Sequence, residues 1–532
     1  MKNIIPVFMA IMLLSLGACS SATNANLLPN LSAAETGQNA VMPEISSTQQ
    51  GLIPATGIVE AANLPTSTPK PKNKNSAGGT KVPKENKPAN LPNNPGGKNP
   101  MVVPTSASPD FIAAEITGRP TDKSVTLNVV PATQMQITYE YGTASGAYQA
   151  STTVQTAMAK VPLETLISGL KANTRYYYRI RYGGSAGLEH TFMTQRSPGS
   201  TFTFAIQGDS HPERLVKQFD PDLYTRTLKS AASSNPDFYM TIGDDFSVDA
   251  LKTVNAEVVQ SLYINQRQWL GLVGAPIFLV NGNHEQAAMA NLNGTANNVA
   301  VWAQNARNAY FPQPAPDTFY TGDATPVEFI GQLRDYFAYT WGDALFVVID
   351  PYWHSSMTVD NQFGGDKTEK GKRDLWNTTL GDEQYQWFKQ TLETSKSKYK
   401  FVFTHHVNGK GRGGVEVAKT YEWGDSANLS KHRPGWGKTI QQLMADNHVT
   451  IFFQGHDHLF AKQELDGVIY QTMPSPADPN YAPANADAFK SGDKLPASGH
   501  VRVSVSPNQV KVDYVRSYLE KPDEIAYSYT VQ

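Results

Sequence analysis

One cysteine among 532 residues means that no disulfide can close within this chain. A bias of charge is missing as well. Forty-five basic residues face 47 acidic ones, a formal net charge of −2, so no domain-scale basic excess offers a footprint for nucleic acid. Apolar runs long enough for a membrane helix are also lacking. The apolar stretch at the start, Ile4–Leu14, is too short to span a bilayer comfortably. What is present is an ordinary globular composition, 40% hydrophobic and 17% charged, with 24 tyrosines. The length exceeds one domain.

That apolar start has the three parts of an export signal: Lys2, the Ile4–Leu14 core, and the small residues Gly17 and Ala18 before Cys19. The single cysteine sits where a bacterial lipoprotein signal places its lipidated residue. Residues 1–19 are therefore expected to be a lipoprotein signal peptide, and Cys19 to anchor the protein to a membrane of the bacterial cell envelope. Ser20 and Ser21 lack the aspartate that marks inner-membrane retention, which favours the outer membrane. Residues 20–108 are crowded with Pro, Asn, Ser and Lys and carry little to bury, so a disordered tether is expected. The basic stretch from Lys70 to Lys98 falls inside it and reads as solvating.

Over 109–197 the pattern turns to short alternating strands, such as Val125, Leu127 and Val129, separated by turns at Gly142, Gly146 and Gly183-Gly184. A small all-β sandwich is expected, and Leu166–Tyr176 resembles the turn into a late strand of fibronectin type III-like domains. Its expected role is a spacer or cap. From residue 198 to 532 strands alternate with helical patterns, over Asp222–Ala232, Glu257–Trp269, Asp382–Leu392 and Lys438–Asp446, and a β-rich tail follows. Long insertions at about 286–335, 352–380 and 407–437 interrupt the scheme.

Five apolar runs in this last region each end in metal-ligating side chains. Thr201–Gln207 leads into Gly208-Asp209-Ser210-His211, and Phe238–Ile242 into Gly243-Asp244-Asp245. Ile277–Asn281 leads into Gly282-Asn283-His284-Glu285, Phe401–Thr404 into His405-His406, and Val449–Gln454 into Gly455-His456-Asp457-His458. Ligands collect outside the carboxyl ends of strands in open α/β sheets. One sheet edge would gather carboxylate, amide and imidazole donors, the makings of a metal centre.

This ordered set resembles the calcineurin-like metallophosphoesterase superfamily across about 201–475, and the preceding sandwich resembles the layout of purple acid phosphatase-like proteins. The resemblance implies a four-layer α/β/β/α sandwich behind a small fibronectin III-like domain. It implies two divalent ions, zinc, manganese or iron, with Asp244 bridging them. Asp209, His211 and His458 would serve one ion, and Asn283, His405 and His456 the other. The family histidine aligns with the residue directly ending its strand, which favours His405 over His406. His284 would be the catalytic residue, facing substrate and stabilising the phosphoryl group or protonating the leaving oxygen. Ser247 stands where related phosphatases often carry an aspartate, and no tyrosine follows Asp244 at the place of the purple enzymes' tyrosinate. With His211 added, the resemblance points to a colourless, neutral-to-alkaline hydrolase.

The implied reaction is attack of a metal-bound hydroxide on a phosphate monoester, the partner being a small phosphate ester and not a specific nucleic acid sequence. A phosphodiesterase acting on nucleotide, nucleic acid or phospholipid, and a non-catalytic surface binding protein, are the alternatives. His190, His354, His432, His448 and His500 read as surface or hydrogen-bonded core histidines. Tyr352, Trp353, Trp423 and Trp436, with Lys410, Arg412 and Arg433, either ring the mouth for substrate or pin the insertions to the body, packing being favoured.

Overall fold

The computed structural model describes residues 108–251, 253–357, 374–407 and 412–532. The expected signal peptide, Cys19, the expected tether up to residue 107 and Lys410 lie outside the described residues.

Period-2 burial builds the centre of the molecule. Along Phe202–Gln207, Phe204 and Ile206 point one way and Ala205 the other, and all three are buried. The same holds for Phe238, Met240 and Ile242 against Tyr239, and for Phe346 and Val348 against Leu345 and Val347. Strands apolar on both faces belong inside a layered structure, and two sheets pack face to face here. The six-stranded sheet runs Ile277–Leu279, Tyr239–Thr241, Phe202–Gln207, Gly499–Val505, Val510–Arg516, Glu524–Val531. The eight-stranded sheet places Ala344–Val348, Tyr399–Phe403, Ile451–Gln454 and Val468–Thr472 side by side and parallel. Between them Phe204, Phe238, Phe346 and Phe401 form an aromatic cluster with ring centroids 5.1–5.6 Å apart. Each such pair adds about 0.5–1.5 kcal/mol beyond its buried area.

Helices cover both outer faces. Pro221–Ser233 and Ala256–Leu270 cover the six-stranded sheet through Leu228, Tyr263 and Trp269. Gly381–Thr394 and Ile440–Asp446 cover the other through Tyr385, Phe388, Leu392 and Leu443. The result is the α/β/β/α sandwich, with the β-rich tail completing both sheets.

Described parts of the first and third insertions carry structure of their own. Helix Val299–Tyr310 fills part of the first, its end capped by Asn298, whose side chain accepts from the Ala300 and Val301 N–H groups. Trp423 and Trp436 are buried, the latter stacked on Tyr385 at 3.8 Å. Arg433 pairs with Glu422 at 2.8 Å and Arg412 with Asp457 at 3.2 Å. Trp436 and Arg412 pin the third insertion to the body, and the Arg433–Glu422 pair ties that insertion to itself.

The N-terminal strands, Phe111–Gly118 through His190–Met193, form a β-sandwich that is covered on the outer side of its first two strands. Ala113, Ile116 and Val130 join the core under helix Ala256–Leu270. Arg267 on that helix is fully buried and donates from Nε and Nη2 to Ala114 O, from Nη1 to Tyr310 O and Asn128 Oδ1, and from Nη2 to Asn128 O. The sandwich is thereby fastened to the α/β/β/α layers as a fixed flank.

Candidate metal centre

Each motif begins where its strand stops, so the side chains converge above one end of the two sheets. Close approach explains the glycines. A Cβ on Gly282 would lie 2.2 Å from Asp244 Oδ1, and one on Gly455 2.6 Å from Asp209 Oδ1. Four non-glycine residues in the cluster hold left-handed backbone: His211 (φ 48°), Asp244 (58°), His456 (69°) and His458 (63°). Such conformations cost on the order of 1–3 kcal/mol each and persist where the surroundings over-determine them.

The two aspartates are aimed alike. Asp209 Oδ1 accepts the His456 backbone N–H at 2.8 Å, and Asp244 Oδ1 accepts that of His284 at 2.9 Å. Both Oδ2 atoms therefore turn inward. Asp209 Oδ2 lies 3.1 Å from His458 Nε2, 3.7 Å from His211 Nε2 and 4.0 Å from His405 Nε2. Asp244 Oδ2 lies 3.1 Å from His405 Nε2 and 3.7 Å from His211 Nε2. Asn283 Oδ1 sits 3.0 Å from His405 Nε2 and 3.1 Å from His456 Nδ1. Donors about 2.1 Å from one ion and at right angles to each other stand about 3.0 Å apart, so these spacings fit a cation between them. Asp209 Oδ2 and His211 Nε2 are buried without a hydrogen-bond partner, orphans that a cation would satisfy.

All seven residues expected as ligands, and His284, meet in this one place. His405 faces Asp244, and its Nδ1 donates to Ile242 O at 2.6 Å, which leaves Nε2 for the centre. His406 instead stacks on the His456 ring at 3.8 Å. The negative potential is strong. Burial works against charge on His405, yet Asp244 and Asp209 push its pKa up to about 10. Burial also opposes charge on His211, which Glu213 and Asp209 push up to about 9.

Several neighbours carry no sequence signal of their own. Asp249, not residue 247, holds His284: its carboxylate lies 2.7–2.8 Å from Nδ1. Burial disfavours the imidazolium of His284, but Asp244 and Asp249 raise its pKa above the usual value. Ser247 lies 3.2 Å from His211 Nδ1, which also meets Glu213 at 2.9 Å. Arg214 Nη2 stands 3.4 Å from His284 Nε2. Glu285 knits two motif loops, accepting from the backbone N–H groups of Asp245, Phe246 and Gly282.

Residues 202–460 match the profile of the calcineurin-like phosphoesterase family. The chain carries a calcineurin-like phosphoesterase domain. It is thus a metal-dependent phosphoesterase hydrolase, which removes the non-catalytic reading. Among solved structures, the phosphoesterase fold of this chain is similar to PhoD at 18% identity, covering 81% of this chain and 91% of that one with a TM-score of 0.58. It is also similar to purple acid phosphatase PPD1 from seeds of yellow lupin (Lupinus luteus), at 15% identity, 79% and 74% coverage and a TM-score of 0.51. At these identities the likeness is one of fold. No curated protein sequence matches the chain.

Proposed function

We propose that this domain holds two divalent ions and hydrolyses small phosphate monoesters, in a protein anchored through Cys19 in the bacterial cell envelope. The observation that carries the reaction is the pair of inward carboxylate oxygens, Asp209 Oδ2 and Asp244 Oδ2, ringed by the nitrogens of His211, His405 and His458. Asp209, His211 and His458 would hold one ion, Asn283, His405 and His456 the other, and Asp244 both. Imidazole-rich sites of this kind suit zinc, manganese or divalent iron. Two such ions, when bound, draw in phosphoryl oxygens and supply a nucleophile from water near neutral pH.

The chain's own residues supply the rest. Asp249 fixes the His284 ring through Nδ1, so Nε2 faces the centre as a proton donor to the leaving oxygen. Arg214 beside it adds a second cation. Two cationic groups beyond the ions favour a dianionic monoester over a monoanionic diester. Asp244→Asn or Asn283→Ala is expected to abolish turnover with the fold retained by circular dichroism; surviving turnover refutes the ligand set. A chromogenic monoester is expected to be cleaved well ahead of its diester, and the reverse order establishes the diesterase reading. For the anchor, Cys19→Ser is expected to end lipid labelling and membrane retention, and retention of either in the variant refutes it.

A further inference from the structure

A second cluster of metal-ligating side chains stands apart from the centre just described. Thr321–Gly322 pairs antiparallel with Phe337–Trp341, and Asp323 and Asp335 follow and precede these strands on neighbouring chains of the pair. The Asp323 N–H donates to Tyr336 O at 3.3 Å, which holds the two carboxylates together. His354, from the segment after Ala344–Val348, brings Nε2 to 3.5 Å from Asp335 Oδ2 and 4.0 Å from Asp323 Oδ2. One donor atom from each of the three lies within 4.8 Å of the others.

The local hydrogen bonding leaves this cluster unsatisfied. Asp335 is fully buried, and neither of its oxygens has a hydrogen-bond partner; His354 Nε2 has none either. The 3.5 Å separation is well beyond the roughly 2.7–2.9 Å of a charge-assisted hydrogen bond. Arg307, a neighbouring cation, is turned elsewhere, donating to Arg334 O and Leu279 O. A buried carboxylate in this state is costly unless a cation neutralises it. Asp323 has its Oδ1 occupied by the Thr325 N–H at 2.9 Å, leaving Oδ2 toward the cluster.

We propose that Asp323, Asp335 and His354 form a separate, mononuclear site for a divalent transition ion, zinc in the first instance. Ligands about 2.0–2.1 Å from a tetrahedral zinc lie about 3.3 Å apart, so His354 stands close to that spacing from Asp335, at 3.5 Å, and Asp323 Oδ2, 4.0 Å from His354, would move inward on binding. Imidazole with two carboxylates suits zinc or manganese over calcium. The His354 side chain is 21% exposed while Asp335 is sealed, so an ion enters from the His354 side. His354 is therefore more than the surface or core histidine its isolated position in the sequence implies.

The role that follows is structural. Asp350, at the start of the same segment, accepts from Asn281 Nδ2 at 2.8 Å and from the Tyr352 N–H at 2.6 Å. Asn281 directly precedes Gly282-Asn283, and the Tyr352 ring lies 6.2 Å from that of His405. An ion clamping His354 to the Asp323–Asp335 pair would fix the far end of this segment against the sheet.

The test is metal content of the purified full-length protein by mass spectrometry, compared between wild type, Asp335→Asn and His354→Ala. Each variant is expected to carry one equivalent less than wild type, and to lose the part of the chelator-induced fall in melting temperature that this ion contributes. Asp209→Asn is expected to keep the ion, which separates this site from the dinuclear one. Equal metal content in wild type and both variants overturns the proposal. Should the variants fail to fold, anomalous scattering from wild-type crystals at the zinc edge decides it: a peak among Asp323, Asp335 and His354 supports the site, and its absence in zinc-grown crystals overturns it.

Discussion

Replacing Asp249 by Asn removes the negative charge behind His284 while keeping the shape of the side chain. The contact at 2.7–2.8 Å joins groups that are 12% and 23% exposed. Hydrogen bonds to charged groups contribute about 1.5–3 kcal/mol, and partial exposure places this one near the lower end, at about 1.5–2 kcal/mol. At about 1.4 kcal/mol per decade, kcat for a chromogenic monoester should fall about 10–30-fold, with metal content unchanged because Asp249 is not among the expected ligands. The decisive assay is a double-mutant cycle. On a His284→Ala background, Asp249→Asn should change kcat by less than about two-fold, since there is no ring left to orient. An unchanged kcat in the single variant, or a full second loss in the double, refutes the assignment of Asp249 to His284.

Three further outcomes follow from the packing. Gly282→Ala should cut metal content and turnover together, because the new methyl collides with Asp244 Oδ1 and the Asp244 backbone nitrogen; full metal loading in this variant would show that the loop yields. Arg267→Ala leaves the carbonyls of Ala114, Asn128 and Tyr310 without this donor, at about 1–3 kcal/mol each, so the urea midpoint should drop by the equivalent of at least about 3 kcal/mol. His500 is buried in Gly499–Val505, and burial, then Arg502, takes its pKa down to about 3. Its unfolded value is about 6.5, so the unfolded chain binds the extra proton. The stability associated with His500 is complete above about pH 6.5 and declines below it by on the order of 1.4 kcal/mol per pH unit. His500→Gln should therefore flatten the fall of urea midpoints between pH 7 and 5; an identical slope in both proteins would show that other groups govern it.

The layers and the ligand cluster were legible because both rest on local pattern. Runs such as Phe202–Gln207 are apolar on both faces and short, which marks inner strands, and each is followed at once by its ligating residues. Val468–Thr472 and Val510–Arg516 have the ends read from the sequence, and the four expected helices fall within about three residues of theirs. Helix Val299–Tyr310 was missed inside an insertion although its buried residues recur at helical spacing, Ala300, Ala303, Arg307 and Tyr310 among them, and it packs on a neighbouring helix and the 277–279 strand. The group that orients His284 was not legible: Ser247 stands where related phosphatases often carry an aspartate, and Asp249 takes that role instead, since the turn after Asp244 and not the count of residues decides which carboxylate reaches the ring.

By itself, then, the sequence determined the inner strands, the glycines that allow the motif loops to close on one another, and the kinds of donor atom brought to the strand ends. These follow from side-chain period and backbone sterics, which act over a few residues. Tertiary structure alone decided that Asp249 reaches His284, that the sandwich is bolted down by Arg267, and that Asp323, Asp335 and His354 meet. Those outcomes join positions far apart along the chain, where partner identity depends on how the layers pack and which buried charges must be neutralised.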